Sequence, residues 1–157
     1  MEHDRVVGLK DSSGNLDYIR DVAGLKSSRQ EWSVFVGPQE LLVEAMQIGA
    51  DGGVLGGANM FPELYVALFE AIRENSVARI DELNRVVRAV PDALFRVGQH
   101  PSSLIKGVKC ALSCMGICDD FMAEPFHRFR SDERARIQQN LEQLSAQLEG
   151  LGVACAS

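Results

Sequence analysis

The chain has 157 residues, of which 46% are hydrophobic and 24% are charged, as in an ordinary folded protein. The net charge of −6 and the lack of any run of lysines and arginines disfavour nucleic-acid binding. The amino terminus lacks the pattern of a signal peptide, and no segment reaches the roughly 20 apolar residues that a membrane span requires. The sequence therefore predicts a cytoplasmic protein without a membrane span.

Strand and helix patterns alternate through the first 75 residues. The apolar run from Arg5 to Lys10 predicts a strand, and the polar residues 11–15 predict a loop and a helix N-cap. Apolar residues then recur at helical spacing from Leu16 to Ala23. The sequence thus predicts a first β/α unit over residues 5–23.

Two further β/α units are predicted after it. Residues 32–36 form an apolar strand pattern that ends at Gly37-Pro38, and a helix pattern follows over residues 41–48. Residues 53–55 predict the third strand, and the next helix begins near Pro62. Short loops between such units indicate parallel strands, whose carboxyl ends gather the functional groups. Those ends carry Lys10, Gly37 and Gly56.

From residue 76 onward the pattern is helical. Segments 76–97, 101–115 and 131–150 predict three amphipathic helices, and residues 116–129 form a loop. The last helix repeats apolar residues at spacings of three to four, but it is too short to favour a coiled coil. We therefore divide the chain into an α/β domain over residues 1–75 and a helical extension over residues 76–157.

Three of the four cysteines are spaced four residues apart, at Cys110, Cys114 and Cys118, and would share one face of a helix. A tetrahedral zinc site needs ligands that converge from different directions, and no histidine is near in sequence. Buried free cysteine commonly packs as a small apolar residue. We expect reduced, structural cysteines and no metal.

Lys10 is the residue on which the predicted chemistry depends. Most lysines are solvated surface groups, and a lysine attacks a carbonyl only when partial burial or a neighbouring cation favours its neutral amine. The carboxyl end of a barrel strand offers partial burial. By itself this position raises the expectation of a catalytic role only modestly.

The segment Gly8-Leu9-Lys10-Asp11-Ser12-Ser13-Gly14-Asn15 resembles the Schiff-base lysine motif of the dihydrodipicolinate synthase and N-acetylneuraminate lyase family. Residues 34–37 resemble that family's seventh barrel strand, and residues 49–59 resemble its eighth strand and loop. Residues 104–112, 116–117 and 124–126 resemble its helical tail. The similarity covers nearly the whole chain, with the motifs in the family's order.

This resemblance implies the last three β/α units of a (β/α)8 barrel, followed by a helical extension. A complete barrel needs about 250 residues, so 157 residues would form part of one. It also implies that Lys10 condenses with pyruvate or a related 2-oxo acid, so that bonds beside the iminium carbon form or break. No cofactor is implied.

The resemblance also assigns binding residues. The backbone at Val54 would line the keto-acid pocket, and Gly37, Gln39 and Glu40 would meet the variable end of the substrate. Gln39 and Glu40 could equally be residues of a helix start, where a glutamate complements the helix dipole. Several relatives place larger or hydroxyl side chains at the positions of Gly56 and Gly57, so we expect either a wider pocket there or ligand binding by backbone amides.

Two parts of the family site have no match before Lys10: the carboxylate-binding loop of the early strands and the tyrosine of the fifth strand. Tyr18 and Tyr65 lie in predicted helices, where we expect amphipathic packing with the hydroxyl in water. Acid–base and electrostatic groups contribute much of an enzyme's rate. We therefore expect the chain to be inactive alone.

Three strands also leave two open sheet edges, which self-association or a separate amino-terminal half-barrel would cover. A second interpretation is accordingly a non-catalytic or regulatory remnant that binds a partner through these edges. A third is a phosphate site at the glycines after the last two strands, which the absence of a nearby basic residue disfavours.

Overall fold

The computed structural model describes residues 3, 5–98 and 100–154. It divides into two compact units, Met1–Gly56 and Gly57–Ser157. The helix predicted after Pro62 belongs to the second of these units. The domain boundary that the sequence predicts after residue 75, between a partial barrel and a helical extension, remains a prediction.

The first unit is an α/β structure with a three-stranded parallel sheet in the order β1-β2-β3. Its strands and helices are β1 (Gly8–Asp11), α1 (Leu16–Gly24), β2 (Ser33–Val36), α2 (Leu42–Gln47) and β3 (Gly52–Gly53), with short 3₁₀ turns at Leu25–Ser27 and Gln39–Leu41. Helix α1 packs against β2 and α2. The alternation of strand and helix confirms the predicted β/α units.

The strand register separates two faces of this sheet. Lys10 pairs with Phe35, and Asp11 pairs with Val36. Paired residues of neighbouring strands point to the same side, and successive residues alternate. One face therefore carries Lys10 and Phe35, while the other carries Asp11 and the buried Val36.

The strands are shorter than their sequence patterns. The first was predicted at residues 5–10 and is observed at Gly8–Asp11, because the four residues of β2 pair with these four positions. Val6 and Val7 precede the strand, and their side chains are 44% and 65% exposed. The third strand was predicted at residues 53–55 and is observed at Gly52–Gly53. The ladder nevertheless continues to Val54, whose amide donates to the Val36 carbonyl at 2.9 Å.

The second unit is helical. It contains a 3₁₀ turn over Gly56–Asn59, shared with the end of the first unit, then α3 (Pro62–Arg73), α4 (Val77–Val90), a π-helical segment (Pro91–Phe95), α5 (Ser103–Cys114) and α6 (Ser131–Gly150). Pro62 occupies the first turn of α3, as its fixed φ favours. The three predicted helices after residue 76 are confirmed, except that the first changes to π-helical geometry at Pro91.

Buried aliphatic side chains of α4 and α6 form the centre of this helical unit. Leu83, Val87 and Ile137 are fully buried, and Leu141, Leu144 and Leu148 are 5% exposed or less. Helix α5 passes close to the π-helical segment at Gly107. An Asn140 side-chain amide donates to the Ala93 carbonyl at 2.6 Å and ties α6 to that segment.

Two expectations for this unit were wrong. Cys118 does not share a helix face with Cys110 and Cys114, because α5 ends at Cys114 and Gly116 takes a positive φ of 74°. Tyr65 is 5% exposed, so its hydroxyl does not lie in water, although the residue is helical as predicted. Tyr18 is helical and 42% exposed.

Candidate active site at the carboxyl end of the first strand

Lys10 lies one residue before the end of β1, with its side chain exposed. Its Nζ donates a hydrogen bond to Ser12 Oγ at 2.5 Å. Among the residues that the structure describes, Lys10 is exposed, so the partial burial predicted for its amine is not observed. The amine is therefore open to a small molecule.

The polar loop after β1 is fixed by its own side chains. Asp11 is 8% exposed and its carboxylate accepts hydrogen bonds from the Ser13 amide at 3.1 Å and the Ser13 hydroxyl at 2.9 Å. The Asn15 side chain accepts from the amides of Asp17 and Tyr18 and caps α1, as its position predicts. These bonds hold the loop that follows Lys10 without using the Ser12 hydroxyl.

Gly37 follows β2 and lies directly beside the amine. A Cβ atom added there would be 3.0 Å from Lys10 Nζ and 2.5 Å from Ser12 Oγ. The Gly37 amide donates to the Asp11 carbonyl at 2.6 Å, which extends the ladder between the two strand ends. The structure thus brings Lys10 and the predicted site residue Gly37 together.

Gln39 and Glu40 lie in the 3₁₀ turn Gln39–Leu41, which Pro38 precedes. Gln39 is 2% exposed, whereas Glu40 is half-buried. No side chain caps this turn, and Glu40 lies in its first turn, where a carboxylate complements the helix dipole. The burial of Gln39 indicates a structural position, and contact of either side chain with substrate stays a prediction.

Val54 continues the sheet beyond β3 and its side chain is 59% exposed. Gly52 pairs with Phe35, so alternation places Val54 on the face that carries Phe35 and Lys10. Gly56 is half-buried at the end of the first unit. Gly57 begins the second unit, where its carbonyl accepts from the Met60 and Phe61 amides at 3.0 Å each.

Asp51 stabilises the start of β2 from the loop before β3. Its carboxylate accepts from the Val34 amide at 2.8 Å and pairs with the Lys26 ammonium. Burial acts to raise the pKa of Asp51, but the hydrogen bonds from Lys26 and Val34 outweigh it and hold this pKa below its ordinary value. Asp51 is therefore ionised at neutral pH, and it joins β2 and the start of β3 to the 3₁₀ turn that follows α1.

Comparison with protein-family models matches residues 1–144 to the Dihydrodipicolinate synthetase family. This match covers most of the chain. The chain belongs to the dihydrodipicolinate synthetase family. Schiff-base chemistry is general to this family. In this chain Lys10 lies near the carboxyl end of a parallel strand.

Solved structures of the family share this fold. Dihydrodipicolinate synthase from Bacteroides thetaiotaomicron superposes with a TM-score of 0.84 at 44% identity, over 87% of this chain and 46% of that chain. YagE from Escherichia coli K12, solved in complex with pyruvate, superposes with a TM-score of 0.78 at 20% identity, over 89% of this chain and 46% of that one.

Among curated relatives, the probable 2-dehydro-3-deoxy-D-pentonate aldolase YjhH of Escherichia coli K12 is 31% identical over 118 residues, which cover 74% of this chain and 38% of that protein. A 4-hydroxy-tetrahydrodipicolinate synthase of Methanopyrus kandleri matches 95% of this chain and 47% of its own length. The chain thus spans less than half the length of these family members.

Within the part of the chain that the structure describes, no group of three or more histidine, cysteine or acidic side chains could hold a metal ion. No helix among the same residues is long and apolar enough to cross a bilayer. Cys110, Cys114 and Cys118 are free thiols, and Cys155 lies outside the described residues.

Ser12 is part of the sequence motif, but no role was predicted for it. In the structure its hydroxyl accepts a hydrogen bond from the amine of Lys10. Ser12 follows β1, which ends at Asp11, so the alternation of side chains along a strand does not place it. The contact depends on the loop conformation, which the sequence pattern does not specify.

Proposed function

We propose that this chain supplies the Schiff-base lysine of a carbon–carbon lyase or synthase that acts on pyruvate or a related 2-oxo acid. The observation that carries the proposal is the position of Lys10, at the carboxyl end of a parallel strand, exposed and next to a glycine that leaves its amine accessible. The family match supports the lyase class. The pyruvate complex of YagE supports the substrate class.

In the proposed reaction the neutral amine of Lys10 attacks the keto carbon, and the resulting carbinolamine loses water to give an iminium. The iminium withdraws electrons from the neighbouring carbon, so loss of a proton there gives an enamine. The enamine carbon forms a bond to an aldehyde carbon, or the reverse step breaks that bond. Water then hydrolyses the iminium and restores the amine.

The neighbouring residues have proposed roles in this reaction. The Val54 backbone, on the same sheet face as Lys10, would line the keto-acid pocket. Gly37, Gln39 and Glu40 would meet the aldehyde-derived end of the substrate, and the backbone amides of Gly56 and Gly57 would bind its polar groups. The exposure of Val54 and the position of Gly37 support their parts of this assignment.

We further infer that residues 1–75 form the last three β/α units of a (β/α)8 barrel, that residues 76–157 form its helical extension, and that this chain does not turn over substrate alone. Three parallel strands leave β1 and β3 as edge strands within the described residues, and the amine is exposed rather than enclosed. Enclosure is what makes electrostatic groups effective in catalysis. Five further strands, from an amino-terminal half-barrel, would supply it.

The decisive experiment traps the iminium. The chain is incubated with pyruvate and sodium borohydride, and the modified peptide is identified by mass spectrometry. We expect one reduced pyruvate adduct on Lys10 in the wild type. Lys10→Arg is the matched control, because it keeps the positive charge but has no amine that loses its proton near neutral pH.

Absence of a Lys10 adduct at every pyruvate concentration would exclude the catalytic proposal for this chain. The alternative would then be a non-catalytic remnant that binds a partner through its sheet edges, which the two edge strands favour. Equal adduct formation on all lysines would also exclude the catalytic proposal, since it would show that pyruvate reacts with lysines non-selectively.

A further inference from the structure

The loop after β1 uses its polar side chains in two distinct ways. Ser13 serves the backbone: its hydroxyl donates to the Asp11 carboxylate and accepts from the Asn15 amide at 3.1 Å. Ser12, by contrast, accepts the hydrogen bond of the Lys10 amine. The two adjacent serines therefore differ in role, since one fixes the loop and the other contacts the reactive nitrogen.

Gly37 limits the space around that contact. Its φ lies outside the left-handed region, so the backbone itself does not demand glycine. A Cβ there would be 2.5 Å from Ser12 Oγ and 3.0 Å from both Lys10 Nζ and the Asp11 carbonyl oxygen. Any side chain would displace the amine or the hydroxyl, because the carbonyl belongs to the ladder.

We propose that Ser12 is a positioning residue for the Lys10 amine, and that Gly37 is required to leave room for the pair. This inference rests on the proposed function and adds to it the group that orients the nucleophile. A lysine side chain carries about 2 kcal/mol of rotamer entropy, so a free amine samples many directions. By donating one N–H to Ser12, the neutral amine keeps its lone pair directed away from the hydroxyl, toward an approaching keto carbon.

The positioning is tested first without any substrate. In a chain labelled with ¹³C-lysine, the two protons on Cε of a freely rotating lysine give one averaged NMR signal, whereas those of a held side chain give two. We expect two signals for Lys10 in the wild type, one in Ser12→Ala, and two again in Ser12→Thr, which restores the hydroxyl. Signals of Lys106 and Lys109 serve as internal references.

Two further variants separate positioning from loop structure. Ser13→Ala removes the hydroxyl that binds Asp11 but leaves Ser12, so the Lys10 signals should stay split. Gly37→Ala keeps the backbone conformation but crowds the pair, so it should give the averaged signal of Ser12→Ala. Split Lys10 signals in Ser12→Ala, or averaged signals in Ser13→Ala as well, would overturn the proposal.

Borohydride trapping of the pyruvate adduct then measures how the contact with Ser12 affects the reactivity of Lys10. At saturating pyruvate, the rate of borohydride-trapped adduct formation should fall about tenfold in Ser12→Ala, the equivalent of one lost hydrogen bond, and recover to within about twofold in Ser12→Thr. An unchanged rate in Ser12→Ala would refute the positioning role. If the wild type forms no pyruvate adduct while its Lys10 signals respond as expected, the proposed function fails and the positioning of the amine stands.

Discussion

At the residue scale, glycine is required in this chain for two different reasons, a positive φ angle and a close contact between backbones. Gly14, with a φ of 77°, occupies the left-handed region that other residues avoid, and a Cβ there would meet nothing closer than 3.9 Å. At Gly107 the demand is space: a Cβ would lie 2.0 Å from the Leu94 carbonyl oxygen. The absent side chain allows α5 to approach the π-helical segment Pro91–Phe95.

Gly107→Ala should therefore destabilise the protein. Alanine is intrinsically better in a helix than glycine by about 1 kcal/mol, but overpacking against a backbone carbonyl costs about 1–3 kcal/mol or more. We expect a net loss of about 2 kcal/mol in the free energy of unfolding, measured by urea denaturation followed by circular dichroism.

Gly150→Ala is the matched control, because this residue ends α6 and a Cβ there meets no atom within 4 Å. Its free energy of unfolding should be unchanged or slightly higher. Equal stability of Gly107→Ala and the wild type would show that the close approach at Leu94 is not required.

The cysteines of α5 and the following loop should differ in reactivity. Burial, together with the neighbouring Cys114, raises the pKa of Cys110 to about 12, against the opposing influence of Arg134. The thiolate is the reactive form, so Cys110 is almost entirely unreactive at neutral pH. Cys118 is exposed.

Alkylation of the native chain with iodoacetamide at pH 8, followed by peptide mass spectrometry, should modify Cys118 faster than Cys110 by a factor of about 100 or more, because the raised pKa and burial of Cys110 leave very little reactive thiolate there. In denaturant the two rates should become similar. Equal rates in the native chain would contradict the buried, protonated thiol.

At the element scale, short strands are held by side chains as well as by the ladder. β2 has four residues and β3 has two. Asp51 adds a bond to the Val34 amide and an ion pair to Lys26, so it connects the loop before β3 to β2 and to the segment after α1. The contacts of the Asp51 carboxylate therefore help to stabilise a sheet whose short strands form few hydrogen bonds with one another.

Asp51→Asn should lower stability in a pH-dependent way. Because the folded-state pKa of Asp51 is lowered, its ionised form stabilises the fold above the unfolded-state pKa, near 4, and this contribution is lost as pH falls through the folded-state value. We expect a loss of about 1 kcal/mol at pH 7, discounted for the partly exposed carboxylate, that shrinks toward pH 3. Urea denaturation across this range measures it.

The exposed pair of Asp92 and Arg96 provides the comparison, with side chains 73% and 64% exposed. Asp92→Asn should change stability by a few tenths of a kcal/mol at any pH, as expected for a screened surface pair. An asparagine oxygen can still accept the hydrogen bond from Val34, so a pH-independent effect of Asp51→Asn would show that the charge of Asp51 does not stabilise the fold.

At the scale of the whole molecule, the parallel sheet has two edge strands within the described residues and one face that carries the exposed Lys10. β1 and β3 each pair on one side within the described residues, and Lys10 is exposed on the face that also carries Val54. Unpaired strand edges invite pairing with other strands. We expect these edges to be covered in a catalytically active assembly.

A separate polypeptide made from the part of the Bacteroides thetaiotaomicron synthase that this chain does not cover should bind this chain and produce lyase activity above that of either part. The chain with Lys10→Arg should bind equally but give no activity. Analytical ultracentrifugation of the chain alone tests the other occupant, a second copy. If neither a complex nor self-association is found, the edges are not interaction surfaces.

Much of this architecture could be predicted from local patterns. The period of apolar residues gave α6 at its observed bounds, and Pro62 and Asn15 marked helix starts because their chemistry is local. The predictions were wrong where the outcome depends on residues that are distant in sequence. Whether Tyr65 is buried depends on the helices packed around it, and the length of β1 depends on how many residues of β2 face it.

The same division holds for the candidate site. The sequence by itself determined the β/α alternation, the family and the lysine at the end of β1, because strand period, turn chemistry and the motif around Lys10 are properties of neighbouring residues. Only the tertiary structure decided that Ser12 Oγ meets the amine, that a Cβ at Gly37 would crowd this pair and that Lys10 is exposed. These are distances between atoms on different strands and loops, and the pairing of β1 with β2 sets them.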